Sequence, residues 1–224
     1  MMIEVQNIQK SFKQKNNQLL ILNNLNLQVP QGSRVGILGQ SGSGKTTFLT
    51  LMAGLEKPDS GSIFVDKVDI TKLSEDELAT FRAKNLSIVF QQYHLISHLT
   101  ALENVMLPLE ILNTPAKEAQ EKAQSLLAEV GLAERMDHFP AQLSGGESQR
   151  VAIARALITT PKFILADEPS GNLDQETGDR VMNLFMSVIE KHNITTLLVT
   201  HNLELADLCQ TTYRLNHGHF EKLK

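Results

Sequence analysis

Two periods of apolar residues run along this chain, and the change from one to the other predicts most of its elements. Residues 3–8, with Ile3, Val5 and Ile8 apolar, alternate as a first strand. A polar loop, residues 9–18, follows and contains Phe12. Residues 19–22 are apolar and lead into the alternating strand 24–29, closed by a turn at Pro30 and Gly32. Residues 34–38 read as a buried strand, and residues 46–53 as a helix ending near Gly54. A turn over 56–61 precedes the strand 62–65. The helix 73–83 comes next, with Ser74 and Glu77 as its capping box. Residues 86–90 form another short buried strand, ending at Gln91.

The middle third changes character. From 101 to 142 the spacing is helical, strand formers are few, and Pro108, Pro115 and Pro140 punctuate it. Residues 116–130 make the clearest amphipathic helix, with Lys117, Glu118, Gln120, Glu121 and Lys122 around an apolar face. This third predicts an inserted all-helical lobe. After Ser144 the mixed pattern resumes with a helix to Ile158, a strand over 163–166 and a helix over 175–191. A strand over 195–200, a short helix from Leu203 and a hairpin over 211–221, turning at His217 and Gly218, complete the chain. Strands alternating with helices predict an α/β fold with a largely parallel, doubly wound sheet.

Composition narrows the function classes. A net charge of −4 does not suggest a nucleic-acid surface or a polybasic membrane patch. Cys209 is the only cysteine, which excludes an intramolecular disulfide and fits a reducing compartment. The start lacks a basic segment followed by an apolar core, and no apolar run approaches the roughly 20 residues that span a bilayer. The expectation is a cytoplasmic protein whose membrane role comes through a partner.

Candidate chemistry begins at Gly39-Gln40-Ser41-Gly42-Ser43-Gly44-Lys45-Thr46, between a strand and a helix. The motif G-x-x-x-x-G-K-[ST] belongs in that position. Glycines at 39, 42 and 44 let the backbone curl until several N–H groups point inward, a nest for phosphate oxygens at a helix N-terminus. Lys45 can reach the β- and γ-phosphates, and the Thr46 hydroxyl can hold Mg²⁺. The predicted ligand is a nucleoside triphosphate.

Two further stretches add to it. The apolar strand 163–166 ends in Asp167 and Glu168, which places two carboxylates at the carboxyl edge of a sheet. Asp167 suits a Mg²⁺ ligand, and Glu168 suits a general base for the attacking water. Leu143-Ser144-Gly145-Gly146-Glu147-Ser148-Gln149-Arg150 opens a helix with a serine, two glycines and free N–H groups, a second anion-binding terminus. Two such devices for one nucleotide make sense if each faces a different subunit.

With these motifs in order, essentially the whole chain resembles the ATP-binding-cassette (ABC) ATPases. The resemblance implies a P-loop cassette with N-terminal antiparallel strands, one domain over 1–224. Residues 1–91 and 160–224 would form the core lobe and 92–159 the helical subdomain. It implies Walker A from Gly39 to Thr47, the Q-loop glutamine at Gln91 and the signature over Ser144, Gly145, Gly146 and Glu147. It also implies Walker B at Asp167, the catalytic glutamate at Glu168, the D-loop from Ser170 to Asp174, the switch histidine at His201 and adenine stacking on Phe12. Gln91 would approach Mg²⁺ and the γ-phosphate. Two cassettes would pair head to tail around two ATP molecules. The γ-phosphate would be gripped by Ser144 and Gly146 of the partner copy and by His201 of the same copy.

The Gly171-Asn172-Leu173-Asp174 form resembles the MacB/LolD/FtsE-like branch, and the stretch from Met136 onward looks closest to YbbA-type subunits. Ser170 stands where many relatives carry threonine. The resemblance implies a Mg-dependent ATPase that drives an integral membrane permease by export, lipoprotein release or mechanotransmission, peripheral on the inner face of the cell membrane. An FtsE-like regulator of cell-wall hydrolases is the alternative, and a soluble non-transport ABC ATPase a further one. His94 and His98 read as surface loop residues, Cys209 as a packing residue, and Glu118 with Lys122 as a helix-surface pair.

Overall fold

The computed structural model describes residues 1–14 and 17–224, and its chain divides into two compact units. The first comprises Met1–Arg82 and His192–Lys224. Its N-terminal part is an antiparallel sheet in the order β2-β1-β4-β5. The strands are β1 (Ile3–Gln14), β2 (Asn17–Val29), β4 (Ser60–Val65) and β5 (Val68–Asp69). The loop expected over 9–18 is instead mostly strand: β1 runs past Phe12, which pairs with Leu19 of β2. Polar residues hid this because both faces of that stretch are exposed, so no apolar alternation marks it. Residues 15 and 16 lie outside the described residues.

Bulges shift the β1–β2 register between Val5 and Ser11. Asn7 and Asn24 take left-handed φ angles of 51° and 49°, and the Asn7 N–H donates to Asn26 Oδ1 at 3.0 Å. Gly61 lets β4 approach this bulge, since a Cβ there would stand 2.5 Å from the Gln6 carbonyl oxygen. Ile3, Ile8, Leu22 and Ile63 are fully buried beneath the sheet, each contributing about 1.5–3 kcal/mol of apolar burial.

The same unit holds β3 (Arg34–Leu38), parallel to both β8 (Thr195–Thr200) and β9 (Thr211–Asn216). β10 (His219–Lys222) closes the expected hairpin against β9. β3 and β8 are buried on both faces almost throughout, as central parallel strands are, with three threonines among the residues of β8. α1 (Lys45–Met52) follows β3, and α7 (Leu203–Asp207) follows β8 with Asn202 as its cap. A 3-10 turn over Ile70–Lys72, capped by Asp69, and the two-residue β5 have too few residues to leave a period in the sequence. α2 (Glu75–Asn85) has the expected Ser74–Glu77 capping box, with the Ser74 N–H 2.8 Å from Glu77.

The second unit is Ala83–Lys191. β6 (Leu86–Val89) pairs in parallel with β7 (Phe163–Asp167). α3 (Ala101–Ile111), α4 (Ala116–Glu129), α5 (Gly145–Leu157) and α6 (Gln175–Lys191) complete it. Pro108 lies inside α3 instead of ending it. An internal proline costs roughly 3 kcal/mol. Here a Thr100–Glu103 capping box and the buried Ala101, Val105 and Leu109 hold the helix on both sides of it. α5 packs on α3, α4, α6 and β6, with Val151, Ile153 and Ala154 fully buried. No helix among the described residues is long and apolar enough to cross a membrane.

Cys209 is buried in the first unit, and burial pushes its thiol up to about 12. At pH 8 almost none of it is thiolate, the reactive form. Native protein should therefore resist iodoacetamide, with alkylation at Cys209 appearing by mass spectrometry only once denaturant unfolds the chain.

Candidate functional site: a phosphate loop and a capped helix start

In the first unit, β3 delivers the chain into the loop Gly39–Gly44 between its two parallel neighbours. The register pairs Leu38 with Thr200 on one side and with Arg214 on the other. The loop therefore opens at the carboxyl edge of these strands, where ligands of α/β sheets bind. A cavity of about 890 Å³ is lined there by Gly39–Ser43, His201, Leu19 and Leu20, and by residues 214–218. The structure thus places His201 beside the phosphate loop. Phe12 is 40% exposed on the neighbouring ribbon, with Lys10 Nζ 5.2 Å from its ring centre. Leu19 and Leu20 were missed in the sequence; their signal is two large apolar side chains half exposed in a strand.

The loop's conformation rests on Gly44, at φ 100°, where a Cβ would stand 2.8 Å from Ile21. Lys45 is 9% exposed and turns back across the loop, donating to the Gly39 carbonyl at 2.8 Å and the Gln40 carbonyl at 2.9 Å. Phe48 N–H closes the first helical bond onto the Gly44 carbonyl at 2.8 Å. α1 has no side-chain cap and no acidic residue in its first turn, so its leading N–H groups carry no competing anion. Thr46 is exposed on that turn and Thr47 half-buried.

The second unit carries the other candidates. β7 ends at the half-buried Asp167, and Glu168 follows at φ 46°, an uncommon conformation for a glutamate. Such an outlier is of the kind that functional sites store. The Gly171 N–H donates to the Glu168 carbonyl at 2.9 Å, turning the chain toward α6. Asp174 caps that helix by accepting from the Thr177 N–H at 3.0 Å, which lowers its carboxyl below the ordinary range.

Gln91 is held by this same turn. Its Nε2 donates to Asn172 Oδ1 at 3.1 Å, and Asn172 Nδ2 returns a bond to the Gln91 carbonyl at 3.1 Å. Gly171 makes room, since a Cβ there would come 2.8 Å from Gln91 Nε2. The segment after Gln91 is braced from within its own unit. The fully buried Asn104 bonds the Ile96 N–H and the carbonyls of Ile96, Leu99 and Thr100. Arg155 donates to the carbonyls of Tyr93 and His94 at 2.8 and 2.7 Å. Tyr93, Leu95, Ile96 and Leu99 are consequently half-buried, while His94 and His98 are exposed.

The start of α5 differs from the expectation of free N–H groups. Ser144 and Glu147 form a capping box: Glu147 N–H donates to Ser144 Oγ at 3.3 Å, while Ser144 N–H and Oγ each donate to Glu147 Oε2 at 2.8 Å. Arg135 Nε donates to the other oxygen at 3.0 Å. Bonds from Ser144 first, then Arg135, hold the Glu147 carboxyl down at about 2. The signal S-x-x-E was present in the sequence; the arginine lies twelve residues away and leaves no local trace. Gly145 faces Tyr93, whose hydroxyl would stand 2.9 Å from a Cβ there, and Gly146 faces Thr177 in the same way at 2.6 Å.

Residues 22–171 match the family described as ABC transporter. The chain belongs to the ABC transporter family. Among its relatives, an ABC protein of Treponema denticola called the lipoprotein-releasing system ATP-binding protein LolD is 46% identical over 98% of this chain and 97% of its own. The ABC transporter ATP-binding protein YbbA of Escherichia coli K12 is 42% identical over 98% and 96%. Two dimeric structures of the ABC cassette MJ0796 superpose with a TM-score of 0.89 at 38% and 39% identity, over 100% of this chain and 99% of each of those. One of them is described as a post-hydrolysis state bound to ADP and Pi. The fold is accordingly a P-loop ABC cassette, as the sequence predicts.

The acid response of α5 in this ABC family member follows from Glu147. Its folded carboxyl is depressed, so its stabilisation is complete above the ordinary carboxylate range near 4.3 and is lost as pH falls toward 2. Glu147→Ala should cost about 1 kcal/mol at pH 7 and at pH 5, typical of a lost cap. That difference, read from urea unfolding of both chains, should shrink below pH 4.

Proposed function

We propose that this protein is the ATP-hydrolysing subunit of a membrane complex of the lipoprotein-releasing type, acting as a head-to-tail homodimer. The contrast between its two glycine-flanked helix starts carries the reading. α1 opens uncapped beside a buried lysine, whereas α5 opens capped, with its charge already balanced. One suits the polyphosphate of bound ATP and the other a lighter contact made from a second copy. The likeness to LolD supports the lipoprotein-releasing type, and the dimeric MJ0796 cassettes support the pairing.

The residues present fit the nucleotide. Ser43 Oγ is buried with no protein hydrogen-bond partner, and Gly42 meets no atom where a Cβ would stand, so the loop's inner side accommodates phosphate oxygens. Backbone N–H groups from Gly39, Gln40, Ser41, Gly42, Ser43 and Gly44 bind the phosphates, joined by Thr46 and Thr47 of the first turn. Lys45 spends two of its three donors on the loop and gives the third to the β- and γ-phosphates. Phe12 stacks on the adenine. Thr46, Gln91 and Asp167 are hard oxygen donors suited to Mg²⁺, which when bound offsets the charge of the phosphates.

In the reaction, Gln91 positions water for attack on the γ-phosphorus while the bond to the β–γ bridging oxygen breaks. Glu168 takes the water's proton, and Lys45 and His201 stabilise the negative charge on the departing and transferred groups. Ser144, Gly145, Gly146 and Glu147 of one copy complete the other copy's site, with Asp174 in the adjoining turn. Loss of the γ-phosphate removes that bridge, so the dimer opens and the motion is passed on. The braced segment 92–99 presents a fixed surface to an integral membrane partner, which would hold the protein at the inner face of the cell membrane.

Glu168→Gln should bind MgATP normally but turn over about 10²- to 10⁴-fold more slowly, because an amide accepts no proton from water. Lys45→Ala should weaken nucleotide binding or turnover by removing charge from the phosphates. Fluorescent-nucleotide titration and phosphate release on both variants check this; wild-type rates in Glu168→Gln would end the assignment.

A further inference from the structure

Among the described residues, three helices begin with a Ser or Thr and a Glu three residues later, and one of them has an arginine hydrogen-bonded to that Glu. At Ser74–Glu77 and Thr100–Glu103, the carboxyl is lowered chiefly by bonds from its own cap residue, with a smaller contribution from the charge of His98 at Glu103. At Ser144–Glu147 an arginine is added on the outer oxygen. A carboxylate at a helix N-terminus already complements the partial positive charge there, so the cap itself does not require the arginine. Glu147 Oε2 is taken up by Ser144, and Oε1 by Arg135.

Arg135 is well placed for a fixed role. It ends a 3-10 turn over Ala133–Arg135 that follows the buried Leu132. The next residues are pinned by α3, whose Ala101 and Leu102 N–H groups donate to the carbonyls of His138 and Met136 at 2.8 and 2.9 Å. Its side chain is 42% exposed and that of Glu147 only 20%. The arginine thus covers the less accessible acid from outside.

We propose that Arg135 is a positioning residue that neutralises Glu147, so that the start of α5 can receive a second anion, the terminal phosphate of ATP held by another copy of the chain. The inference rests on the shared-site reading above. Glu147 competes with that phosphate in two ways: it occupies the single hydroxyl proton of Ser144, and it places a negative charge beside Ser144 and the following glycine N–H groups. Arg135 cancels the charge and draws electron density toward Oε1, weakening the hold of Oε2 on the hydroxyl. Without Arg135 the cap remains, because Ser144 still holds Glu147, but the helix start carries an uncompensated negative charge.

The test is a double-mutant cycle in full-length protein carrying Glu168→Gln, which lets the ATP-bound dimer accumulate. The ATP concentration for half-maximal dimer is read by light scattering, without reference to turnover. Arg135→Gln should raise this midpoint about tenfold, equivalent to about 1.4 kcal/mol, and more steeply at low salt. Arg135→Lys, which keeps the charge, should restore most of it. Glutamine at 147 keeps the capping box without the charge, so in a Glu147→Gln background the same Arg135→Gln should shift the midpoint less than about twofold.

Equal shifts in the two backgrounds, with unchanged thermal unfolding, would overturn the proposal, since Arg135 would then act otherwise than through Glu147. Failure of Arg135→Lys to rescue would do the same. If the Glu168→Gln parent binds ATP as a monomer and never dimerises, the shared site itself is wrong, and the role of Arg135 falls with it.

Discussion

A buried ammonium group organises the first unit. Lys45 is folded back onto the carbonyls of Gly39 and Gln40, and this ties the end of β3 to the start of α1 across the glycine loop. A charge with so little exposure needs oxygen partners, or its desolvation would oppose the fold. The loop satisfies it with the Gly39 and Gln40 carbonyls, and the Ser43 N–H closes a turn onto the same Gln40 carbonyl at 3.2 Å. The buried β3, between β8 and β9, anchors this arrangement, and Ile21 of β2 sets the close approach that only glycine permits at 44.

The second unit shows how the same local feature, a serine and glycines before a helix, is given a different electrostatic character by its surroundings. α1 has bare N–H groups and a cation; α5 has a cap, an acid and a cation, close to neutral in sum. Around α5 lie contacts that make its start and the segment after Gln91 one body. Gln149 reaches the Phe90 carbonyl at 3.4 Å, Tyr93 abuts Gly145, and Arg155 holds two carbonyls of the segment. These contacts tie the segment after Gln91 to the helix that begins beside Ser144.

Much of this was legible in the sequence where a single period or a contiguous motif carries the information. α6 and β8 were expected at their observed bounds because six large apolar residues mark one face of α6 and β8 is a run of β-branched and apolar residues, Thr195 to Thr200. The phosphate loop was legible because its glycines, lysine and threonine are consecutive. The length of β1 was not, because a two-stranded ribbon exposed on both faces has no apolar period. Pro108 misled as a breaker because tertiary packing outweighed propensity. The partners of Gln91 and Glu147 were invisible because Asn172 and Arg135 reach them through space, 81 and 12 residues away.

The central claim is that each nucleotide site is shared between two copies of the chain. The most direct test mixes a Ser144→Arg chain with a Lys45→Ala chain, both carrying Glu168→Gln, and weighs the products by native mass spectrometry in MgATP. The account predicts a heterodimer holding one ATP, built from the intact loop of the first chain and the intact signature of the second, while neither chain dimerises alone. A mixture that stays monomeric, with ATP bound only to the Ser144→Arg chain, would contradict it.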